Sequence, residues 1–362
     1  MPEQRKLEER VTYELQKLYH RFGYARFKMS KFEAYDLYMQ NKEFLVSDAV
    51  ITFTDTDGTL LALKPDVTLS IVKNFRTDQT PVQKVCYTEN VYRVAGAARQ
   101  YREILQTGLE CMGDVGLYEL CEVLLLAARS LEAVSGRYIL ELSHMEIWTE
   151  LFTELDLSDK QTAEVMALLA EKNEDGLLEI LTPAQASKIL PVMQISGPLP
   201  HALDQLSTLT RSAALQELKQ ISEFLAASGI SPEKIHLDFS IVSNRNYYNG
   251  IVFRGYVEGI PTTVLSGGQY DKLMSKMGKD AKAVGFAIYL DQLELLDQRE
   301  KRYDTDTVLL YTAQNVPVEI AQAMKELDKA QILVLKEIPP RLRYRRLMTI
   351  KDGRLEEIEN HG

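Results

Sequence analysis

The sequence predicts an α+β fold in which helices pack on one side of an antiparallel sheet. Segments with strand-like alternation occupy residues 50–113, helix-periodic segments fill most of 113–235, and alternating segments return after 235. This order of strands, helices and strands is typical of α+β domains. The chain has 362 residues, 45% of them hydrophobic, which is enough for a large core and a smaller second unit.

The first segments predict one helix and four strands. In LEERVTYELQKLYHRFGY, apolar residues such as Leu7, Val11 and Leu15 recur with helical spacing before Gly23. The pair at 57–58, Asp-Gly, readily adopts positive φ and predicts a hairpin within DAVITFTDTDGTLLALK. The segments PVQKVCYTENVYRV and YREILQTGLECMG predict two further strands, joined by the small-residue loop AGAARQ.

The remaining segments predict an insertion and a second domain. We expect a core over residues 1–300 that carries a helical insertion at about 150–230, followed by a small C-terminal α/β domain over 303–362. That domain contains a β-α-β unit in TVLLYTA, VPVEIAQAMKELDKA and QILVLKE, then a hairpin in RYRRLMTIKDGRLEEI. The charged segment DQREKRYDTD is the expected linker.

Composition argues against several classes of protein. The net charge of −10 repels phosphate backbones, so nucleic acid is an unlikely partner. The three cysteines and five histidines lack the spacing of metal motifs, and we expect no metal and no cofactor. The cysteines, expected to be buried free thiols, are Cys86, Cys111 and Cys121. The charged N-terminus and the lack of an apolar run of about 20 residues predict a cytoplasmic protein without a membrane span.

The strand REILQTGLE carries a candidate polar site. Alternation places Arg102, Gln106, Gly108 and Glu110 on one face, where the glycine leaves space beside the polar side chains. The alternative is a strand face that is simply exposed to solvent.

Two later segments carry aromatic residues. NYYNG contains Tyr247 and Tyr248, and LSGGQYDKL places a diglycine before Tyr270. Aromatic walls, a closely approachable backbone and a few polar groups are typical of a pocket for a small polar ligand. The alternative is that each tyrosine only packs on the sheet.

In these segments the chain resembles the class II aminoacyl-tRNA synthetases, and specifically histidyl-tRNA synthetase. LALKPDVTLSIVKNF is similar to the LRPE-x-T segment of that family, and YTENVYRV with QYREILQTGLE to its motif 2. NYYNGIVF and SGGQYDKL resemble its two histidine-specific motifs, and AVGFAIYLDQLELL resembles its motif 3. The five segments occur in the family's order, and the resemblance covers residues 1 to about 300.

The resemblance implies a histidine pocket. Its residues are Asp66, Thr68, Gln106, Glu110, Tyr247, Tyr248 and Tyr270. An acid at this site pairs with the α-ammonium of histidine, while Gln106 and the tyrosines hold the imidazole. Arg93, the retained first arginine of motif 2, and Arg102 are further candidates for contact with the ligand loop or with an anion.

The residues that serve synthetase chemistry differ from the family's pattern. The activating arginine of the RGLDYY motif corresponds to Ser243, and the motif 3 arginine that grips ATP corresponds to Gln292. Tyr289 replaces a small residue near the adenine site, Ala95 replaces a motif 2 glutamate, and Ser30 replaces the motif 1 proline. Removing one cationic donor to a transition state typically costs about 10²–10³ in rate. We therefore assign no catalytic residue and expect the nucleotide half of the site to be closed.

A synthetase core of this kind is similar to the regulatory subunits of ATP phosphoribosyltransferase. That resemblance implies a hetero-oligomer with the short catalytic subunit of the enzyme, an effector role for histidine, and a self-dimer. Two alternatives remain at this point: a divergent but active histidyl-tRNA synthetase, and a stand-alone histidine sensor.

Overall fold

The computed structural model describes residues 7–45, 49–76, 80–95, 100–242, 248–296, 303–327 and 331–361. These residues divide into two compact units, one within residues 11–293 and the other formed mainly by the described residues after 293. No helix in the described ranges is both long enough and apolar enough to cross a bilayer. All three cysteines are buried and free, as the sequence predicted.

The described residues of the larger unit form twelve strands in two sheets. In chain order these are β1 Ala25–Arg26, β2 Phe32–Ala34, β3 Thr52–Thr54, β4 Leu60–Leu63, β5 Val82–Ala95, β6 Gln100–Gly113, β7 Tyr138–His144, β8 Ser196–Pro198, β9 Ile235–Asp238, β10 Ile251–Val257, β11 Leu265–Gln269 and β12 Lys282–Tyr289. The main sheet has nine strands in the order β1-β5-β6-β12-β11-β10-β7-β9-β8, and a small sheet has the order β2-β4-β3.

The main sheet is mixed, whereas the sequence analysis predicted an antiparallel sheet. Six consecutive strands of the sheet pair antiparallel, in the order β5, β6, β12, β11, β10 and β7. By contrast, β1 runs parallel to β5 and β9 runs parallel to β7. Strand β7 was also missed, because its seven residues lie between two helical segments. Its residues Tyr138, Leu140 and Leu142 are buried in alternation, which is the pattern of a strand.

The helices of the larger unit lie mostly where the periodicity predicted them. They are α1 Leu7–Arg21, α2 Tyr35–Met39, α3 Thr68–Asn74, α4 Leu117–Val134, α5 Met145–Glu154, α6 Asp159–Ala170, α7 Glu174–Ile180, α8 Pro183–Met193, α9 Leu199–Leu209, α10 Ala213–Ala227 and α11 Asp271–Lys276. The apolar helix α4 packs against β7, β10 and β12. Helices α5 to α10 fall between β7 and β9, where the helical insertion was predicted, and the short β8 interrupts them.

The predicted hairpin at 57–58 is confirmed. Strands β3 and β4 pair antiparallel, and Gly58 adopts a φ of +88°, which is strained for residues other than glycine. Strands β5 and β6 pair over fourteen positions, from Val82 opposite Gly113 to Ala95 opposite Gln100.

The smaller unit contains the predicted β-α-β segment and hairpin. Strands β13 Thr305–Leu310 and β14 Ile332–Leu335 pair parallel, and helix α12 Pro317–Glu326 lies between them in the chain. Strands β15 Tyr344–Lys351 and β16 Arg354–Asn360 form the hairpin, and the sheet order is β14-β13-β15-β16. The basic residues of β15 are engaged within this unit, since Arg345 and Arg346 both pair with Asp306.

Glycines on two neighbouring strands leave space on one face of the main sheet. Glu110 of β6 pairs with Gly285 of β12, which pairs with Gly268 of β11, so all three point to the same face. A Cβ atom at Gly285 would lie 1.7 Å from a carboxylate oxygen of Glu110 and 2.5 Å from the carbonyl oxygen of Leu109. A Cβ atom at Gly268 would lie 2.6 Å from the ring of Tyr248. The glycines therefore make room for the acidic and aromatic side chains.

We predict that Gly285→Ala lowers the free energy of unfolding by about 1–3 kcal/mol, because the added methyl group collides with backbone and a buried carboxylate. Gly136→Ala is the matched control, since a Cβ atom there meets nothing within 4 Å. Urea denaturation of both variants measures the difference. Equal stability of the two variants would contradict the packing described for Gly285.

Candidate functional site

A cavity of about 260 Å³ lies on this face of the sheet. It is slightly smaller than the roughly 300–1,000 Å³ typical of small-molecule sites, which suits a small ligand. It is lined by residues in or next to the five strands β5, β6, β10, β11 and β12, and by the segments 43–45 and 66–68. The lining residues are Glu43, Phe44, Leu45, Asp66, Val67, Thr68, Tyr87, Arg93, Gln106, Glu110, Tyr248, Arg254, Ser266, Tyr270, Gly285, Phe286, Ala287 and Tyr289.

The structure brings six of the seven predicted histidine-pocket residues together around this cavity. They are Asp66, Thr68, Gln106, Glu110, Tyr248 and Tyr270, and Arg93 lines the cavity with them. Tyr247 lies outside the described residues. Arg102 is exposed and is not among the lining residues, because it lies on the part of β6 that pairs only with β5.

Glu110 is buried at the acidic end of the cavity, with 2% of its surface exposed. Its two carboxylate oxygens accept hydrogen bonds from the Tyr270 hydroxyl at 2.6 Å and from the Thr68 hydroxyl at 2.9 Å. Burial raises the pKa of Glu110 to about 8; the two hydrogen bonds oppose this rise, and the nearby charge of Asp66 adds to it. A donor or cation from a ligand would favour the charged form of this carboxylate.

Asp66 precedes helix α3, and the start of the helix fixes its orientation. Its Oδ1 accepts a hydrogen bond from the Leu69 backbone N–H at 2.9 Å, and its Oδ2 lies 3.6 Å from a guanidinium nitrogen of Arg93. The Arg93 Nε also donates to the Pro65 carbonyl at 2.6 Å. Burial raises the pKa of Asp66, and the charge of Arg93 opposes that rise. Arg93 is thus engaged by the protein itself.

Gln106 has an unsatisfied amide at the wall of the cavity. It is 2% exposed, and its Nε2 has no hydrogen-bond partner among the residues that the structure describes. An unpaired buried donor costs about 1–3 kcal/mol, so an acceptor on a ligand would recover this free energy. The side chain therefore provides a donor that the folded protein leaves unused.

Tyr289 and Gln292, which the sequence resemblance assigns to the nucleotide end of the site, lie at the end of β12 and shortly after it. Tyr289 lines the cavity and pairs across β6 and β12 with Gln106. The Gln292 side-chain oxygen accepts from the Thr262 hydroxyl at 2.8 Å, and its amide donates to Asp291 at 3.1 Å. Gln292 is therefore bound to neutral and acidic neighbours and brings no positive charge to this end. Ser243 and residues 96–99 of the AGAARQ loop lie outside the described residues.

Sequence reasoning missed several lining residues. Tyr87 lies opposite Gly108 across β5 and β6, and a Cβ atom at Gly108 would lie 2.6 Å from its hydroxyl oxygen. Arg254 and Ser266 face the cavity from β10 and β11, where they pair with each other. The period-two pattern of each strand was present in the sequence, but the cross-strand register that makes these residues neighbours was not.

A family model for histidyl-tRNA synthetase matches residues 1–293 of this chain. Among proteins of similar sequence, one named ATP phosphoribosyltransferase regulatory subunit, from Caldanaerobacter subterraneus subsp. tengcongensis, is 28% identical over 315 residues. The match covers 83% of this chain and 82% of that protein. A protein with the same name from Clostridium kluyveri is 28% identical and is covered to 85%, with 86% of this chain matched.

The fold is also similar to solved structures. An ATP phosphoribosyltransferase regulatory subunit/histidyl-tRNA synthetase from Bacillus halodurans C matches with a TM-score of 0.73 and 23% identity, over 91% of this chain and 88% of the other. The match to the family model extends from residue 1 to the end of the main sheet and so covers most of the chain. The chain therefore belongs to the histidyl-tRNA synthetase family.

Proposed function

We propose that this chain is the regulatory subunit of ATP phosphoribosyltransferase and that it binds histidine in the cavity on the main sheet. The relatives that carry this name match it over more than four fifths of both chains, which supports the assignment. The chain is also similar to a solved structure of an ATP phosphoribosyl transferase complex from Thermotoga maritima, with a TM-score of 0.61 and 21% identity over 78% of this chain and 97% of the other. This similarity supports a hetero-oligomer with the catalytic subunit.

The observation that carries the proposal is the contrast between the two ends of the site. The amino-acid end holds Asp66, Glu110 and the unsatisfied Gln106 amide around one cavity. At the nucleotide end, Gln292 stands where the family has a cation, and it is hydrogen-bonded to Thr262. A site in which the position of Gln292 brings no positive charge suits an effector better than a substrate for ATP-dependent activation.

Histidine matches the polar groups at the acidic end. Its ammonium and its imidazole N–H are donors, and the carboxylates of Asp66 and Glu110 are acceptors within the same cavity. Tyr248 and Tyr270 supply aromatic walls beside them. The ionised form of Glu110, which burial disfavours in the free protein, would gain a partner from the ligand.

Regulation then follows from linkage. If histidine binds one arrangement of the complex more tightly than another, it shifts the enzyme toward that arrangement by the difference in binding free energy, commonly about 1–3 kcal/mol. In this account the chain is catalytically silent, works in the cytoplasm with the short catalytic subunit, and forms a self-dimer. Histidine is its effector.

We predict that the purified chain catalyses no histidine-dependent exchange of pyrophosphate into ATP and charges no tRNA. Two missing cations, at about 10²–10³ each, would reduce the rate at least 10⁴-fold. The assay compares the chain, freed of host synthetase, with a blank and with an active histidyl-tRNA synthetase. A rate clearly above the blank would favour the alternative of a divergent synthetase.

A second prediction concerns the acidic end of the cavity. Glu110→Gln removes the carboxylate that would pair with a cationic group of histidine, and Tyr270→Phe removes the hydrogen bond that favours the charged form of that carboxylate. Each variant should therefore weaken histidine binding about ten- to a hundredfold. Isothermal titration calorimetry on the complex measures this change. Tyr138→Phe is the control, since it removes a hydroxyl from another buried tyrosine, on β7, outside the cavity. Unchanged histidine affinity in both cavity variants would show that the effector binds elsewhere.

A third prediction concerns the partner. The chain alone should make no phosphoribosyl-ATP, but it should raise the turnover of a short catalytic subunit saturably and form a larger species with it. Enzyme assays and size-exclusion chromatography with light scattering measure these effects, with an unrelated acidic protein as control. If the catalytic subunit is fully active alone and changes neither its mass nor its histidine inhibition, the chain is better described as a stand-alone sensor.

A further inference from the structure

Arg254 is a cation at the wall of the cavity, and no described residue neutralises it by direct contact. It lies on β10, is exposed to solvent, and makes no hydrogen bond or ion pair with any residue that the structure describes. Its cross-strand neighbour Glu141 on β7 is close enough for the charge of Arg254 to oppose the rise that burial causes in the Glu141 pKa, but the two form no ion pair.

The other arginine that lines the cavity is already committed. Arg93 donates to the Pro65 carbonyl and lies beside the Asp66 carboxylate. Of the two arginines that line the cavity among the described residues, Arg254 is therefore the one available to an anion.

Small residues form the floor of the cavity between Arg254 and β6, and the Tyr87 hydroxyl lies over the glycine at the far end of this row. Arg254, Ser266, Ala287 and Gly108 form one row across β10, β11, β12 and β6. Side chains of directly opposed residues share a face, so a long cation stands at one end of the row and small residues fill the rest. Three strand spacings, about 14 Å, separate the backbones of β10 and β6, which carries Glu110.

The cavity consequently has opposite polarity at its two sides. In their ionised forms, Asp66 and Glu110 attract a cationic group and repel a carboxylate, and an α-amino acid carries both groups. A guanidinium matches a carboxylate with two parallel hydrogen bonds and remains charged at every physiological pH. Without a cation at the other side of the cavity, the acidic end would attract the ammonium of the amino acid but repel its carboxylate.

We propose that Arg254 binds the carboxylate of the amino-acid ligand and so restricts the cavity to ligands that carry one. This inference rests on the proposed function, since it takes histidine as the ligand. Arg254 is thereby added as a specificity-determining residue. It lies on β10, a strand that contains none of the residues predicted for the histidine pocket. Amines and alcohols with the same imidazole side chain lack the group that Arg254 recognises.

The test compares L-histidine with histidinol, in which an alcohol replaces the carboxylate, by isothermal titration calorimetry on the full chain. Wild type should bind histidine about ten- to a hundredfold more tightly than histidinol, the usual effect of one charged hydrogen-bonded contact. Arg254→Gln should lower the affinity for histidine to that for histidinol and leave the affinity for histidinol unchanged. Arg254→Lys keeps the positive charge but cannot form the two parallel hydrogen bonds of a guanidinium. It should therefore retain part of the difference between the two affinities.

Arg137→Gln is the matched control, because Arg137 is an exposed arginine that pairs with Glu258 outside the cavity. It should leave both affinities unchanged. If Arg254→Gln keeps the full preference for histidine, or if wild type shows no preference, the role of Arg254 is wrong while histidine binding stands. If wild type binds neither ligand, the proposed histidine site itself fails. Circular dichroism of each variant verifies that the fold is intact.

Discussion

Burial of the Glu110 carboxylate on the face of the nine-stranded sheet is the constraint on which the cavity depends. A buried carboxylate is costly unless it is hydrogen-bonded, and here Tyr270 and Thr68 donate to its two oxygens. Gly285 must lack a side chain, because a Cβ atom there would overlap the carboxylate. The Glu110 carboxylate on β6 thereby contacts three other parts of the fold: β12, the start of helix α3 and the residue before helix α11.

This arrangement leaves the free site incompletely satisfied. Burial holds the pKa of Glu110 at about 8, and the Gln106 amide donates to no described residue. Both features disfavour the empty cavity. A ligand that offers a donor to the Glu110 carboxylate and an acceptor to the Gln106 amide would satisfy both groups. A site of this kind couples ligand binding to the packing of several strands at once, which is what an effector site requires.

Much of the lining of the cavity could be predicted from the sequence, and the residues that were missed or wrongly included have physical explanations. Alternation correctly grouped Gln106, Gly108 and Glu110 on one face, but it also included Arg102, which lies on an arm of β6 beyond the reach of β12. The resemblance located Asp66 and Tyr270, whose approach to Glu110 depends on contacts distant in sequence. Arg254 was not found, because its position depends on strand register, and β7 was not found because it is a short strand enclosed by helices.

The central claim is that histidine occupies the cavity above Gly285, and a crystal structure of the chain grown with L-histidine tests it most directly. The account predicts electron density for the amino acid between Glu110 and Gln106, with an acceptor of the ligand within hydrogen-bond distance of the Gln106 Nε2. An empty cavity in crystals that contain histidine at another location would contradict it.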